Sequence, residues 1–175
     1  HEVQLMSDGG DTAIDESFLT ISGGFGKVML GMDDGVGDNY GLAAVDLIAE
    51  ETGTTGASAT IATNSDIDGM SGNNDKVAYH LPAMGGLTAG VSFADSGTNN
   101  GTDTTAYGFR YTTEAAGSSI TIGGASATTE VSGAADKDSQ NLGVKIVAGN
   151  LSFSMSQATE EAADENQEMM GAAFS

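Results

Sequence analysis

The chain has 175 residues, with 26 Gly, one Pro, no Cys and no Trp, and a formal net charge of −20. That length suits one domain of ordinary size, and so strong a negative charge repels a phosphate backbone, which excludes nucleic acid as a partner. No run approaches the ~20 apolar residues of a membrane-crossing helix, whereas a barrel strand needs only about ten residues with every second one apolar.

The first residues, His1-Glu2-Val3-Gln4-Leu5, already read as a strand. They show no basic start and no apolar run of the kind that marks a signal peptide. Period-2 alternation then recurs in ten segments, near 2–7, 16–22, 26–32, 76–82, 86–94, 103–113, 118–129, 140–148, 150–158 and 167–174. In Leu87-Thr88-Ala89-Gly90-Val91-Ser92-Phe93 the apolar residues take one face and Thr88, Gly90 and Ser92 the other. Tyr107, Phe109 and Tyr111 alternate with Gly108, Arg110 and Thr112; Leu142, Val144 and Ile146 with Asn141, Gly143 and Lys145; Leu151, Phe153 and Met155 with serines. The weakest patterns are 2–7 and 118–129, where a bulge could switch the faces.

The connections alternate as well. Short Gly-rich turns fall at Gly23-Gly24, Met84-Gly85-Gly86, Ala116-Gly117-Ser118 and Gly149-Asn150. Longer acidic connections fall at 8–15, 33–75, 95–102, 130–139 and 159–166. Tight turns at one rim and long loops at the other describe an antiparallel up-and-down meander. A soluble all-β domain is the alternative.

Segment 33–75 is too long for an ordinary ordered connection. Leu42, Val45, Ile48 and Ala49 predict a short helix near 41–50. The segment carries Asp33, Asp34, Asp38, Asp46, Glu50, Glu51, Asp66, Asp68 and Asp75, with no Lys or Arg. A solvated acidic loop is its simplest reading.

The basic residues narrow the choice. Lys27, Lys76, Arg110 and Lys145 all lie inside strand segments and on their polar faces. In a barrel spanning lipid the apolar face points outward, since Lys or Arg at the midplane costs ~2–4 kcal/mol. Val28, Leu30, Tyr79, Val91, Phe93, Tyr107, Phe109, Val144, Ile146, Phe153 and Met155 are therefore expected on the convex face. The four basic side chains are expected to line the lumen, opposite Asp33, Asp34, Asp38, Asp46, Glu50 and Glu51 of an inward-folded loop. Such a transverse field selects polar solutes, with a modest cation preference because acids outnumber bases.

The run Asp15-Glu16-Ser17-Phe18-Leu19-Thr20-Ile21-Ser22-Gly23-Gly24-Phe25-Gly26-Lys27-Val28-Met29-Leu30-Gly31 resembles the strand–turn–strand that leads into the constriction loop of Gram-negative general porins, especially alphaproteobacterial ones. Lys76-Val77-Ala78-Tyr79-His80-Leu81-Pro82 with Gly85-Gly86-Leu87-Thr88-Ala89-Gly90-Val91-Ser92-Phe93 resembles the hairpin after that loop. The close match covers 15–94; the rest agrees in rhythm and composition. The resemblance implies a sixteen-stranded outer-membrane barrel, a homotrimer, and passive diffusion of ions and small hydrophilic solutes without catalysis. It also implies periplasmic short turns, with 33–75 as the constriction loop and Lys27, Lys76 and Arg110 on the basic wall. Ten strands are fewer than sixteen, and the chain stops at Ala173-Phe174-Ser175 in what reads as mid-strand. Residues 1–175 are therefore expected to be one partial barrel domain from inside a longer chain.

Two further classes compete. A secreted calcium-binding β-rich adhesin or surface structural protein would suit the acidic, Gly/Asn/Thr-rich composition. Asp66, Asp68 and Asp75 offer hard oxygen ligands for Ca²⁺, but their spacing matches neither an EF-hand loop nor a nonapeptide repeat. No other cofactor is expected. An enzyme finds little support: His1 and His80 are the only histidines, and no Gly-x-Ser-x-Gly elbow is present.

Overall fold

The computed structural model describes residues 2–8, 11–42, 74–95, 102–162 and 165–174. Ten strands form one sheet: β1 (Glu2–Asp8), β2 (Asp11–Gly23), β3 (Gly26–Asp33), β4 (Asn74–His80), β5 (Leu87–Ala94), β6 (Thr102–Ala115), β7 (Ser118–Val131), β8 (Lys137–Ala148), β9 (Leu151–Ala162) and β10 (Glu165–Phe174). Each pairs antiparallel with its neighbour in sequence, so the order is β1 through β10 without a crossover. Among the described residues no pairing joins β1 to β10. This is the meander that the ten alternating segments predict.

Several long connections are shorter than the sequence suggests. The segments 8–15 and 159–166 were expected as loops, yet β2 begins at Asp11, opposite Asp8, and Glu165 pairs with Ala162. The connection after β7 shrinks from 130–139 to the residues between Val131 and Lys137. Strands there carry on with polar residues, and a polar strand loses the hydrophobic alternation by which strands are read. The weak pattern at 118–129 is one continuous strand, paired residue by residue with both neighbours. The sheet's register shift lies instead between Gln4 and Leu5.

At the short rim the turns are tight. Ala116 and Gly117 both have positive φ, 52° and 77°. That backbone matches the right-handed twist of the strands it joins, and glycine takes it without steric cost.

The two faces of the sheet differ sharply. Ala106 keeps 2% of its surface exposed while the adjacent Tyr107 keeps 58%. Leu19, Ile21, Leu30, Val77, Phe93, Phe109, Ile122, Leu142, Phe153 and Met155 are also exposed, all on the Tyr107 side. The other side holds Met29, Ala78, Ser92, Ala125, Ala127, Ser139, Ser154 and Ala158, all buried.

Register arranges the outward residues in rows. One row runs Leu19, Leu30, Val77 and Phe93 across β2 to β5. Continued across β6 to β9, it meets Thr105, Thr128, Asp138 and Glu161. The apolar residues on those strands sit nearer the short turns, in the row Tyr111, Ile122, Val144 and Met155. The apolar band thus slips six residues, from Glu161 to Met155, across the seven steps from β2 to β9. At ~3.3 Å per residue that is ~2.8 Å for each ~4.8 Å strand spacing, which places the band at roughly 30° to the inter-strand direction. Strands crossing a lipid slab at that tilt need this slip to keep their apolar residues at one depth.

A helix, α1 (Val36–Tyr40), follows β3 and packs on the buried face of β5, β6 and β7. The helix expected at 41–50 is not found at Gly41 and Leu42, which are non-helical; the remainder of 41–50 lies outside the described residues.

Candidate functional site

The site is the covered face of the sheet and the segment 34–42 laid across it. That segment leaves the end of β3 and traverses successive strands. The Val36 amide donates to Ser92 Oγ on β5, at 3.3 Å. Arg110 on β6 donates from Nη2 to the Gly41 carbonyl at 2.9 Å. The Leu42 amide donates to Asn141 Oδ1 on β8 at 2.9 Å. Within the segment, Asn39 Nδ2 donates to the Gly35 carbonyl at 3.0 Å.

Val36 and Tyr40 bury their side chains in a cluster with Met29 and Ala78, and Phe18 packs against it. The Tyr40 hydroxyl lies 3.2 Å from the Ala89 carbonyl and 2.8 Å from His80 Nδ1. A hydroxyl has one proton, so both bonds are made if Tyr40 donates to Ala89 and His80 carries its proton on Nδ1. His80 Nε2 is then a lone-pair acceptor, buried without a hydrogen-bond partner. Burial pushes the Tyr40 phenol above its ordinary value, against a smaller downward pull from Arg110. The hydroxyl therefore remains a neutral donor at neutral pH.

The segment comes close because the wall lacks side chains beneath it. A Cβ on Gly90 would stand 2.9 Å from the Tyr40 ring, and one on Gly108 2.7 Å from Tyr40 Cβ. One on Gly123 would stand 2.7 Å from the Tyr40 carbonyl oxygen, and one on Gly143 2.9 Å from Leu42 Cβ and closer still to the Leu42 carbonyl. Real Cβ atoms do not approach so closely. Four glycines on β5, β6, β7 and β8 thus form the floor of the crossing.

The basic residues named from sequence, Lys27, Lys76, Arg110 and Lys145, share this face by register. Lys76 is buried and donates to the Asp33 carbonyl, and the carboxylates of Asp33, Asp34 and Asp38 act on its charge. Lys27 pairs across the sheet with His80, whose ring feels the charges of Lys27 and Asp33. Lys145 lies farther round, in register with Thr121 and Ser154. Asp46, Glu50, Glu51, Asp66 and Asp68 lie outside the described residues. Asp75 is exposed on β4, in register with Met32 and so on the outward side. Among the described residues no three His, Asp or Glu side chains come together to hold a metal ion.

Sequence reasoning missed Tyr40, Ser92 and Asn141 as contacts of the loop. It also missed the glycine floor, although a signal existed: Gly90, Gly108, Gly123 and Gly143 all fall on polar faces of alternating strands. A wall position without a side chain is one that something else approaches closely.

A sheet with one exposed apolar face, and its opposite face covered by the chain's own loop, fits a barrel wall. A family model described as Gram-negative porin matches residues 2–175. The chain belongs to that family. A search of curated proteins returned no match. Barrels of an outer-membrane family present an apolar strand face to lipid, and in this porin the exposed apolar residues are those on the Tyr107 side. Tyr79 shows how a polar tip is managed on the lipid side: its hydroxyl donates to the Phe25 carbonyl at the short rim.

Proposed function

We propose that this porin forms a water-filled channel for passive diffusion of ions and small hydrophilic solutes, with a modest preference for cations and no catalytic step. The observation that carries this reading is the crossing of 34–42 over the covered face of the sheet, which supports a narrowing of the passage once that wall is closed. Asp33 at the end of β3, with Asp34 and Asp38 of the segment, acts on Lys76 on the face that also holds Lys27, Arg110 and Lys145, which supports a field across the passage. Acidic residues outnumber basic ones, 25 to 5, which supports the cation preference. In this reading the wall is closed in the membrane, since open strand margins would leave unpaired backbone in lipid. The resemblance of 15–94 to general porins supports a homotrimer.

The test is current through planar bilayers containing the protein. Ohmic channels whose reversal potential in a salt gradient favours the cation are expected. Absence of channels, or clear anion selectivity, contradicts the proposal.

A further inference from the structure

The bonds that seat the crossing segment have one feature in common. On the wall they come from side chains: Ser92, Arg110 and Asn141. On the loop they end on backbone: the Val36 amide, the Gly41 carbonyl and the Leu42 amide. The closest approaches over Gly123 and Gly143 likewise involve the carbonyls of Tyr40 and Leu42. Tyr40 adds a side-chain contact, and it too reaches a wall backbone group, the Ala89 carbonyl, besides His80.

Backbone groups are the same whatever side chain a residue carries. A seat held at backbone fixes where the chain runs independently of the side chains at Gly41 and Leu42, whereas Val36 and Tyr40 are themselves buried in it. Because the reach of Arg110 and Asn141 is set by strands in fixed register, and the approach is limited by the glycine floor, height and lateral position are both determined by the wall.

We infer that Arg110 and Asn141, together with the floor of Gly123 and Gly143, are the positioning residues that set the width of the passage, and that the loop side chain at 42 does not. The inference rests on the channel reading above. Arg110 in this role is a strut. Its Nη2 is committed to Gly41, and its Nε, buried without a hydrogen-bond partner, lies 3.7 Å from where a Cβ on Gly123 would stand. A methyl at Gly143 would drive the Leu42 carbonyl and Cβ off the wall toward the lumen, because the backbone beneath cannot yield. Loss of the Asn141 amide would leave the Leu42 amide without its acceptor and let the segment leave its seat.

The experiment compares single-channel conductance in planar bilayers for the full chain and three variants, with folding checked by heat resistance of the barrel. Gly143→Ala should show a smaller conductance at one steady level. Asn141→Ala should show several levels, as the freed segment samples more than one position. Leu42→Ala, which keeps the Leu42 amide and Cβ, should conduct as the unaltered protein does. If Gly143→Ala fails to fold, Asn141→Ala alone decides. Unchanged conductance in a folded Asn141→Ala, or a change of equal size in Leu42→Ala, overturns the inference while leaving the channel reading intact. Absence of conductance in the unaltered protein overturns the channel reading itself.

Discussion

Tyr40 shows how one side chain can hold a loop against a wall. Its ring fills the space left by Gly90 and Gly108, and its hydroxyl bridges Ala89 and His80. Tyr40→Phe keeps the ring and removes both bonds, so docking should weaken by about 1 kcal/mol. Amide exchange at Val36 and Leu42 should then accelerate by roughly fivefold for that loss, and exchange at an unchanged rate would show that the hydroxyl contributes nothing. The phenol also gives a pH dependence. Its folded-state value is raised, so the fold prefers the neutral form. Docking is fully stable below the ordinary tyrosine value near 10 and weakens as pH rises from there through the raised value. Amide exchange followed from pH 8 to pH 12 should show this alkaline loosening in the unaltered protein and lack it in Tyr40→Phe. An identical profile in both would assign the loosening to other groups.

At the scale of the strand, the slip of the apolar band makes depth readable from register. Val144 lies in the row Tyr111, Ile122, Val144 and Met155, well inside the band. Ser126 lies on the same outward side, in the row Tyr107, Ser126 and Gln140, where the band has ended on β7 and β8. Val144→Lys should therefore lower the free energy of folding into liposomes by ~2–4 kcal/mol and Ser126→Lys by only ~0–1. Equal costs at the two positions would mean that the band has been placed wrongly. Strand positions and faces were legible in the sequence because the lipid-facing side imposes strict alternation wherever it is buried in hydrocarbon. Strand ends were not legible at 11–15 or 159–162, since polar extensions beyond the band have no apolar face to reveal. The helix at Val36–Tyr40 was also hidden. Its short run, Val-Gly-Asp-Asn-Tyr, has no helical periodicity, and it is held by contacts to β5, β6 and β7 that no local pattern announces.

For the whole molecule, the two faces of one sheet carry two different solvents. Four basic residues could be assigned to the face opposite the apolar one from alternation alone, and register places them there together. Their individual tasks could not be assigned in the same way. Lys76 is engaged with the Asp33 carbonyl of the neighbouring strand, and Arg110 with the Gly41 carbonyl, which only the crossing of 34–42 over the wall makes visible. In a barrel of this family the inward face is expected to border water and the outward face lipid. The chain has no cysteine, so single thiols can be introduced without competition. The most direct test is the reaction of a charged, water-soluble thiol reagent with cysteine variants of the barrel in liposomes, read also as block of current in bilayers. Thr112→Cys and Lys145→Cys, on the inward face, should react and reduce the current. Tyr111→Cys and Val144→Cys, their neighbours in sequence on the outward face, should do neither. Reaction at all four positions, or only at Tyr111→Cys and Val144→Cys, would contradict this division of the two faces.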